Sequence, residues 1–143
     1  MGFGLPAAIG AQFGAPEKRV IHIAGDGGFK MTGAELYTAA NHNLPLISVV
    51  INNQCLGMIR QLQHVFFDRR YTVCQLGQVD FTSFARAFNI EGIEVNTPEE
   101  FAAAFASALA SPKASLIVAN IDPDALVTPM TMPGNAVNDY IVI

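Results

Sequence analysis

The chain of 143 residues is long enough to bury one core and too short for two large domains. About half of its residues are apolar and 14% are charged, which excludes a disordered chain, while a net charge of −4 and a pI near 5.2 argue against nucleic acid as main partner, because phosphate backbones are held by clustered Lys and Arg. Cys55 and Cys74 make neither a disulfide framework nor a zinc set; no stretch resembles a signal peptide, and no apolar run approaches the roughly 20 residues that span a bilayer, so the expected location is the cytoplasm, with no membrane partner.

The first element in chain order is "LPAAIGAQFG", a helix of small residues suited to close packing. "RVIHIAG" and "LISVVIN" follow, short, β-branched and nearly continuous, as strands buried on both faces tend to be. Between them Thr32 and Glu35 have capping-box spacing, Leu36 and Ala40 fall on one helical face, and Asn43 and Pro45 stop the helix. That is a βαβ unit over about Arg19 to Asn52. "LGMIRQLQHVF" has helical spacing, with Met58 and Leu62 on one face and Ile59 and Phe66 near it. Asp80 is placed to cap a helix whose Phe81, Phe84 and Phe88 form a stripe. The run Thr97-Pro98-Glu99-Glu100 starts another, with Phe101, Phe105 and Leu109 at i, i+4 and i+8. "ASLIVANID" reads as a buried strand, and the tail from Asp122 carries Pro123, Pro129 and Pro133 as an irregular arm. Alternating β and α predicts an α/β fold: a doubly wound, mostly parallel sheet with helices on both faces. The division is a domain over 1–121 and a Pro-containing arm over 122–143. A mean hydropathy of +0.34 is high for a lone soluble domain and points to faces covered by neighbours or by self-association.

Open parallel sheets bind ligands at the carboxyl ends of their strands. Asp26 and Asn53 each follow a strand there, so both project from one rim. A carboxylate, a carboxamide and nearby carbonyls make a hard-oxygen set suited to Mg²⁺, which completes its octahedron with phosphate and water. Gly25, Gly27 and Gly28 let the backbone approach a phosphate and expose N–H donors. These residues read as a magnesium-diphosphate site, although Asp beside Gly after a strand is also common in plain turns.

Gly25-Asp26-Gly27, then 24 residues, then Asn52-Asn53 resembles the signature of enzymes that use thiamine diphosphate. "MGFGLPAAIGA", "GDGGFKMTGAEL", "NNQCLGMIRQLQHVFFDRRY", "DFTSFARAF" and "VTPMTMPG" resemble successive blocks of acetolactate synthase large subunits, in order from Met1 to about Gly134. The resemblance implies that Asp26 and Asn53 ligate Mg²⁺ through side chains and Cys55 through its carbonyl. It implies that Gly27 and Gly28 hold the diphosphate, that Gly57 and Met58 line the cofactor, and that Met1 props it in a bent shape. The implied reaction decarboxylates pyruvate and joins the remaining two-carbon unit to a second 2-oxo acid, in branched-chain amino acid or acetoin metabolism, with Gln61 and Leu62 shaping the acceptor pocket. The family's catalytic glutamate belongs to a pyrimidine-binding domain or subunit, so no catalytic residue is expected in this chain. FAD, held by some members, would lie mainly on another domain, and a homo-oligomer is implied. Met1 falls inside a family block, so the chain reads as an N-terminally truncated piece, inactive alone.

Several positions depart from the family pattern. Gly28 stands where Ser is common, Lys30 where Asn is usual, and Leu62 where biosynthetic members usually carry Trp, which leaves a roomier pocket. Another thiamine diphosphate-dependent 2-oxo acid decarboxylase or carboligase therefore stays open, as does a non-catalytic phosphate-binding doubly wound module. Of the histidines, His22 reads as a hydrogen-bonded core residue and His42 as a helix C-terminal one. His64, after the cofactor-lining segment, is the better functional candidate.

Overall fold

The structure is a computed structural model that describes residues 1–132 and 134–142; Pro133 and Ile143, both in the expected arm, lie outside the described residues. Four parallel strands, β1 (Ile21–Gly25), β2 (Ile47–Asn52), β3 (Glu91–Val95) and β4 (Ser115–Asn120), form a sheet in the order β1-β2-β4-β3. Ile21 pairs with Ile47, and Ser115 with both Ile47 and Glu91. β3 was not anticipated: "EGIEV" alternates charge and apolar character without a strong β-branched run.

One face of the sheet carries α1 (Gly4–Gly14), α2 (Asp26–Thr32), a 3-10 turn (Gly33–Glu35), α3 (Leu36–Asn41) and α5 (Phe81–Arg86). Their core joins Leu5, Phe29, Leu36, Leu46, Val50, Phe81 and Leu116, and each large side chain buried there contributes about 2 kcal/mol. Gln12, fully buried in α1, pins the following turn: its Nε2 donates to the Lys18 carbonyl at 2.6 Å and its Oε1 accepts the Val20 N–H at 3.0 Å. The other face carries α6 (Pro98–Ala110) over Ile47, Val49, Val95 and Ile117. Helices on both faces of a parallel sheet match the expected class.

Local expectations fared unevenly. Asp80 caps α5 by accepting the Ser83 N–H at 2.8 Å, and Thr97 caps α6 by accepting that of Glu100 at 3.1 Å. The Thr32–Glu35 capping box does not form. The helix starts at Asp26, Thr32 Oγ1 donates instead to the Gly2 carbonyl at 2.8 Å, and Glu35 Oε2 accepts from Thr38 at 3.2 Å. In α6 the residues set into the sheet are Ala104 and Ala108; Phe101 and Phe105 flank them, stacked on each other at 5.7 Å, and Leu109 is exposed. Small side chains let the helix approach the sheet, so the aromatic stripe is displaced to its margin. β2 is buried on both faces as expected, but β1 is an edge strand: α6 does not reach it, and Ile23 is 67% exposed. In α4 (Gly57–Phe66) Gln61 is buried, whereas Met58, Ile59 and Phe66 are exposed. Beyond β4 the chain runs irregularly to a short hairpin of β5 (Met130–Thr131) and β6 (Tyr140–Ile141). No described helix is long and apolar enough to cross a membrane.

Candidate diphosphate and metal site

Asp26 is the first residue of α2, immediately after β1, and Asn53 follows the last residue of β2. Both stand at the carboxyl end of the sheet, on the adjacent strands β1 and β2. The rim is braced by side-chain amides: Asn52 Nδ2 donates to Asn120 Oδ1 at 2.7 Å, and Asn120 Nδ2 to Glu94 Oε1 at 2.6 Å and Asn96 Oδ1 at 3.0 Å. That ladder ties together the ends of β2, β4 and β3.

The Asp26 carboxylate is 2% exposed, and its Oδ2 has no hydrogen-bond partner. Burial raises its pKa from the ordinary carboxylate value, against the opposing pull of the Gly27 N–H, the Lys30 charge and the N–H groups of Asp26 and Gln54. A carboxylate buried with an unsatisfied oxygen is costly unless a positive partner meets it. Asn53 Oδ1 accepts the Cys55 N–H at 3.2 Å, which folds the Asn53-Gln54-Cys55 turn around the carboxamide. Gln54 completes that turn with φ of 57°, a left-handed conformation unusual for a residue with a side chain. Gly57 lies close by: a Cβ on it would stand 3.0 Å from Asn53 Nδ2. Gly27 packs beneath the loop as well, where a Cβ would meet Leu56 Cδ2 at 2.9 Å and Leu76 Cδ1 at 3.2 Å. Asp26, Gly27, Asn53, Cys55 and Gly57 are thus brought together, with Gly25 as the residue before α2.

A cleft of about 390 Å³ adjoins this turn, lined by Asn53, Gln54, Cys55, Arg60, Ile121 and Pro123 among others. Burial raises the pKa of the Cys55 thiol, so it is a protonated, packed side chain and no nucleophile. Gly28 and Gly2 share a smaller cavity of about 40 Å³ with His22. Gly2 requires its glycine: φ is +76°, and a Cβ there would meet Met31 Cβ at 3.1 Å. This holds Met1 beside α2 with an exposed side chain, 83% accessible, and Met58 at the start of α4 is 56% exposed, so it is not a core methionine. Gln61 and Leu62 do not line the cleft: the Gln61 carboxamide is engaged by Val127, and Leu62 is half-buried.

His22 is the core residue expected, with Nδ1 3.1 Å from Ser48 Oγ. His42 follows the end of α3 and packs edge-on against Phe13, while His64 Nδ1 and the Tyr71 hydroxyl are 2.9 Å apart. Two features escaped sequence reasoning. The left-handed Gln54 has no marker, since neither Gly nor Asn occupies it. Arg60, the only Lys or Arg on the cleft wall among the described residues, is inconspicuous within a mixed helix. A second cleft of about 380 Å³, lined by Tyr37, Asn43, Asn89 and Lys113, lies at the amino ends of the strands, away from these residues. Among the described residues no three His, Cys, Asp or Glu side chains converge on a metal-sized site. The Asp26 set, one carboxylate with neutral oxygens, is of a different kind.

Residues 1–119 match the model of the thiamine pyrophosphate enzyme, C-terminal TPP binding domain. The chain is 38% identical over 138 residues to the acetolactate synthase large subunit of Parasynechococcus marenigrum, covering 95% of this chain and 22% of that protein. It is 42% identical over 135 residues to the acetolactate synthase isozyme 2 large subunit of Escherichia coli, covering 94% and 25%. The solved Rhodococcus jostii thiamine diphosphate-dependent 4-hydroxybenzoylformate decarboxylase superposes with a TM-score of 0.80 at 33% identity, over 85% of this chain and 23% of that one. The chain spans about a quarter of the length of the curated relatives it matches.

Proposed function

Because the chain belongs to the thiamine pyrophosphate enzyme family, through that family's C-terminal TPP-binding domain, we propose that its rim anchors the diphosphate of thiamine diphosphate through Mg²⁺. The observation that carries this is the buried, unsatisfied Asp26 Oδ2 beside the Asn53 turn. The residues fit the group: Asp26 supplies the one negative charge, Asn53 and the Cys55 carbonyl supply neutral oxygens, and phosphate and water complete the shell of a hard cation. Gly25, Gly27 and Gly28, at the start of α2, offer backbone N–H donors to phosphate oxygens. Met1, Gly57 and Met58 supply surface for the rest of the cofactor.

When bound, thiamine diphosphate supplies the electron sink for decarboxylating a 2-oxo acid. The role of this chain is then to hold and orient it, not to move protons. Asp26 fixes the cation, the Asn53–Cys55 turn fixes its direction, and the acid–base glutamate comes from a pyrimidine-binding domain or subunit, in an assembly with further copies of the chain. The activity we assign to the assembly is that of an acetolactate synthase, a carboligating transferase acting in the cytoplasm on pyruvate and a second 2-oxo acid. Support comes from relatives of that name at 38% and 42% identity. A second reading, a 2-oxo acid decarboxylase, is favoured by the likeness to the Rhodococcus jostii enzyme and by Leu62 in place of Trp.

Calorimetric titration with thiamine diphosphate, with and without Mg²⁺, tests the anchoring site beside Asp26→Ala. Mg²⁺-dependent binding that the variant loses is the expected result. Binding of equal strength without Mg²⁺, or in the variant, refutes it. Product analysis after reconstitution with a pyrimidine-binding domain, for acetolactate or for an aldehyde, separates the two readings of the activity.

A further inference from the structure

Arg60 and Gln61, neighbours on α4, both reach to the segment that leaves β4. Gln61 is 3% exposed, and its carboxamide pairs with both polar groups of one residue: Nε2 donates to the Val127 carbonyl at 2.8 Å, and Oε1 accepts the Val127 N–H at 2.8 Å. Nε2 also lies 3.2 Å from Met130 Sδ. A side-chain amide here does what a neighbouring strand would do for an edge residue. Arg60 makes the second attachment. Its Nε donates to the Pro123 carbonyl at 3.1 Å and to Asp124 Oδ1 at 3.1 Å, and its Nη2 forms an ion pair with the same oxygen. The guanidinium lies 3.8 Å over the Tyr71 ring, and Tyr71 is held in turn by His64 at 2.9 Å. Asp122 Oδ1 accepts the Asp124 N–H at 2.8 Å, and Asn52 O accepts the Ile121 N–H at 3.0 Å. Between Ile121 and Val127 the chain has no regular secondary structure of its own. Yet Ile121 and Pro123 form one wall of the cleft whose other wall is Asn53, Gln54 and Cys55.

We infer that Gln61 and Arg60 are positioning residues: a two-point clasp that fixes the segment after β4 as a wall of the cleft. Gln61 is buried with its carboxamide committed to Val127 and Met130, which gives it this role. Arg60 is neutralised by Asp124 and oriented by Tyr71, so the cleft wall and the arm share one cation. The clasp stands on its own geometry; only its consequence for cofactor binding rests on the function proposed above.

Residue-resolved amide hydrogen exchange of the full chain tests it. In the wild type the Val127 amide should be protected at least about tenfold over a random coil, and a wild-type Val127 exchanging at the random-coil rate overturns the clasp without any variant. Gln61→Met keeps the volume and removes the pairing. It should abolish Val127 protection while Ile121, Val50 and Ile117 stay protected, and unchanged Val127 exchange in that variant equally overturns the inference. Arg60→Ala, nearer the surface, should accelerate Val127 by a smaller factor, and Arg60→Lys should recover only part of it, because a point charge cannot reproduce the fork on Asp124 and Pro123. Titration of the same variants with thiamine diphosphate and Mg²⁺ reads the cleft. Affinity falling about tenfold with Val127 protection supports the wall, and retained affinity confines the clasp to the arm. A wild type without affinity refutes the cofactor reading and leaves the clasp to be decided by exchange.

Discussion

The backbone of Gln54 and the carboxylate of Asp26 meet across the carboxyl ends of β2 and β1, the Gln54 N–H being one of the groups that hold the Asp26 pKa down against its burial. The contact depends on Gln54 adopting φ of 57°, which turns the chain back toward α2. A conformation that costs about 1 kcal/mol for a residue with a Cβ is kept where the turns that carry Asn53 and Asp26 face each other.

The cost gives a test of that turn. Gln54→Gly removes the steric penalty and should leave the chain as stable or about 0.5–1 kcal/mol more so. Gln54→Val adds branching at Cβ and should lose about 1–2 kcal/mol. Urea unfolding of the three chains checks the order. Equal stabilities for Val and Gly would mean that the turn opens at no cost.

Asp26 should oppose stability in the absence of a cation. Its Oδ2 is buried without a donor, a defect worth roughly 1–3 kcal/mol. Asp26→Asn removes the charge and should raise the melting temperature in metal-chelating buffer by a few degrees. Mg²⁺ with thiamine diphosphate should then stabilise the wild type by mass action and leave the variant unmoved. A variant that melts lower than the wild type in chelator would show that Asp26 is already satisfied inside the protein.

The parallel sheet and the place of the two ligand candidates were legible because they rest on strong local signals. "LISVVIN" could only be a buried strand, and a polar residue directly after it had to sit at the rim. The capping box was misread because Thr32 and Glu35 match a local pattern while Asp26, six residues earlier, starts the helix on the strand's last glycine. Local spacing cannot say which of two starts the tertiary packing selects. The pairing of Gln61 with Val127 was invisible in the sequence, because the two lie 66 residues apart. The edge position of β1 was also invisible, since Ile21 and Ile23 look the same whether or not a helix covers them.

His22 should make the fold acid-sensitive. Its pKa is lowered by burial, with Nδ1 at Ser48 and Nε2 unpartnered. The unfolded chain therefore takes up this proton at a higher pH than the folded one. Stability from this residue is complete above the ordinary histidine value of about 6.5, and is lost as pH falls below it toward the folded pKa. The slope cannot exceed about 1.4 kcal/mol per pH unit for one proton. Urea midpoints at pH 7.5 and 5.5 should converge in His22→Gln relative to the wild type. A wild-type midpoint as high at pH 5.5 as at pH 7.5 would exclude His22 as an acid-sensitive point.

Two adjacent glycines should respond in opposite directions. Gly28 is helical, and a Cβ there meets nothing within 4 Å, so Gly28→Ala should gain about 0.5–1 kcal/mol from helix propensity. Gly28→Ser should gain less, because serine is the poorer helix former, but it adds a hydroxyl on the turn assigned to the diphosphate and should tighten thiamine diphosphate binding. Gly27 carries the same propensity term, yet its Cβ would press on Leu56 Cδ2 at 2.9 Å and Leu76 Cδ1 at 3.2 Å. Overpacking costs about 1–3 kcal/mol, which outweighs the helical gain, so Gly27→Ala should be destabilised by about 1 kcal/mol. Leu56 adjoins Gly57 and follows the Asn53–Cys55 turn, so its displacement should also weaken Mg²⁺-dependent binding beyond the loss of stability. Thermal unfolding and cofactor titration of the three variants separate these effects. A Gly27→Ala chain as stable as Gly28→Ala and with wild-type affinity would show that the loop over α2 yields freely, and that the close approach of Gly27 to Leu56 plays no part in holding the site.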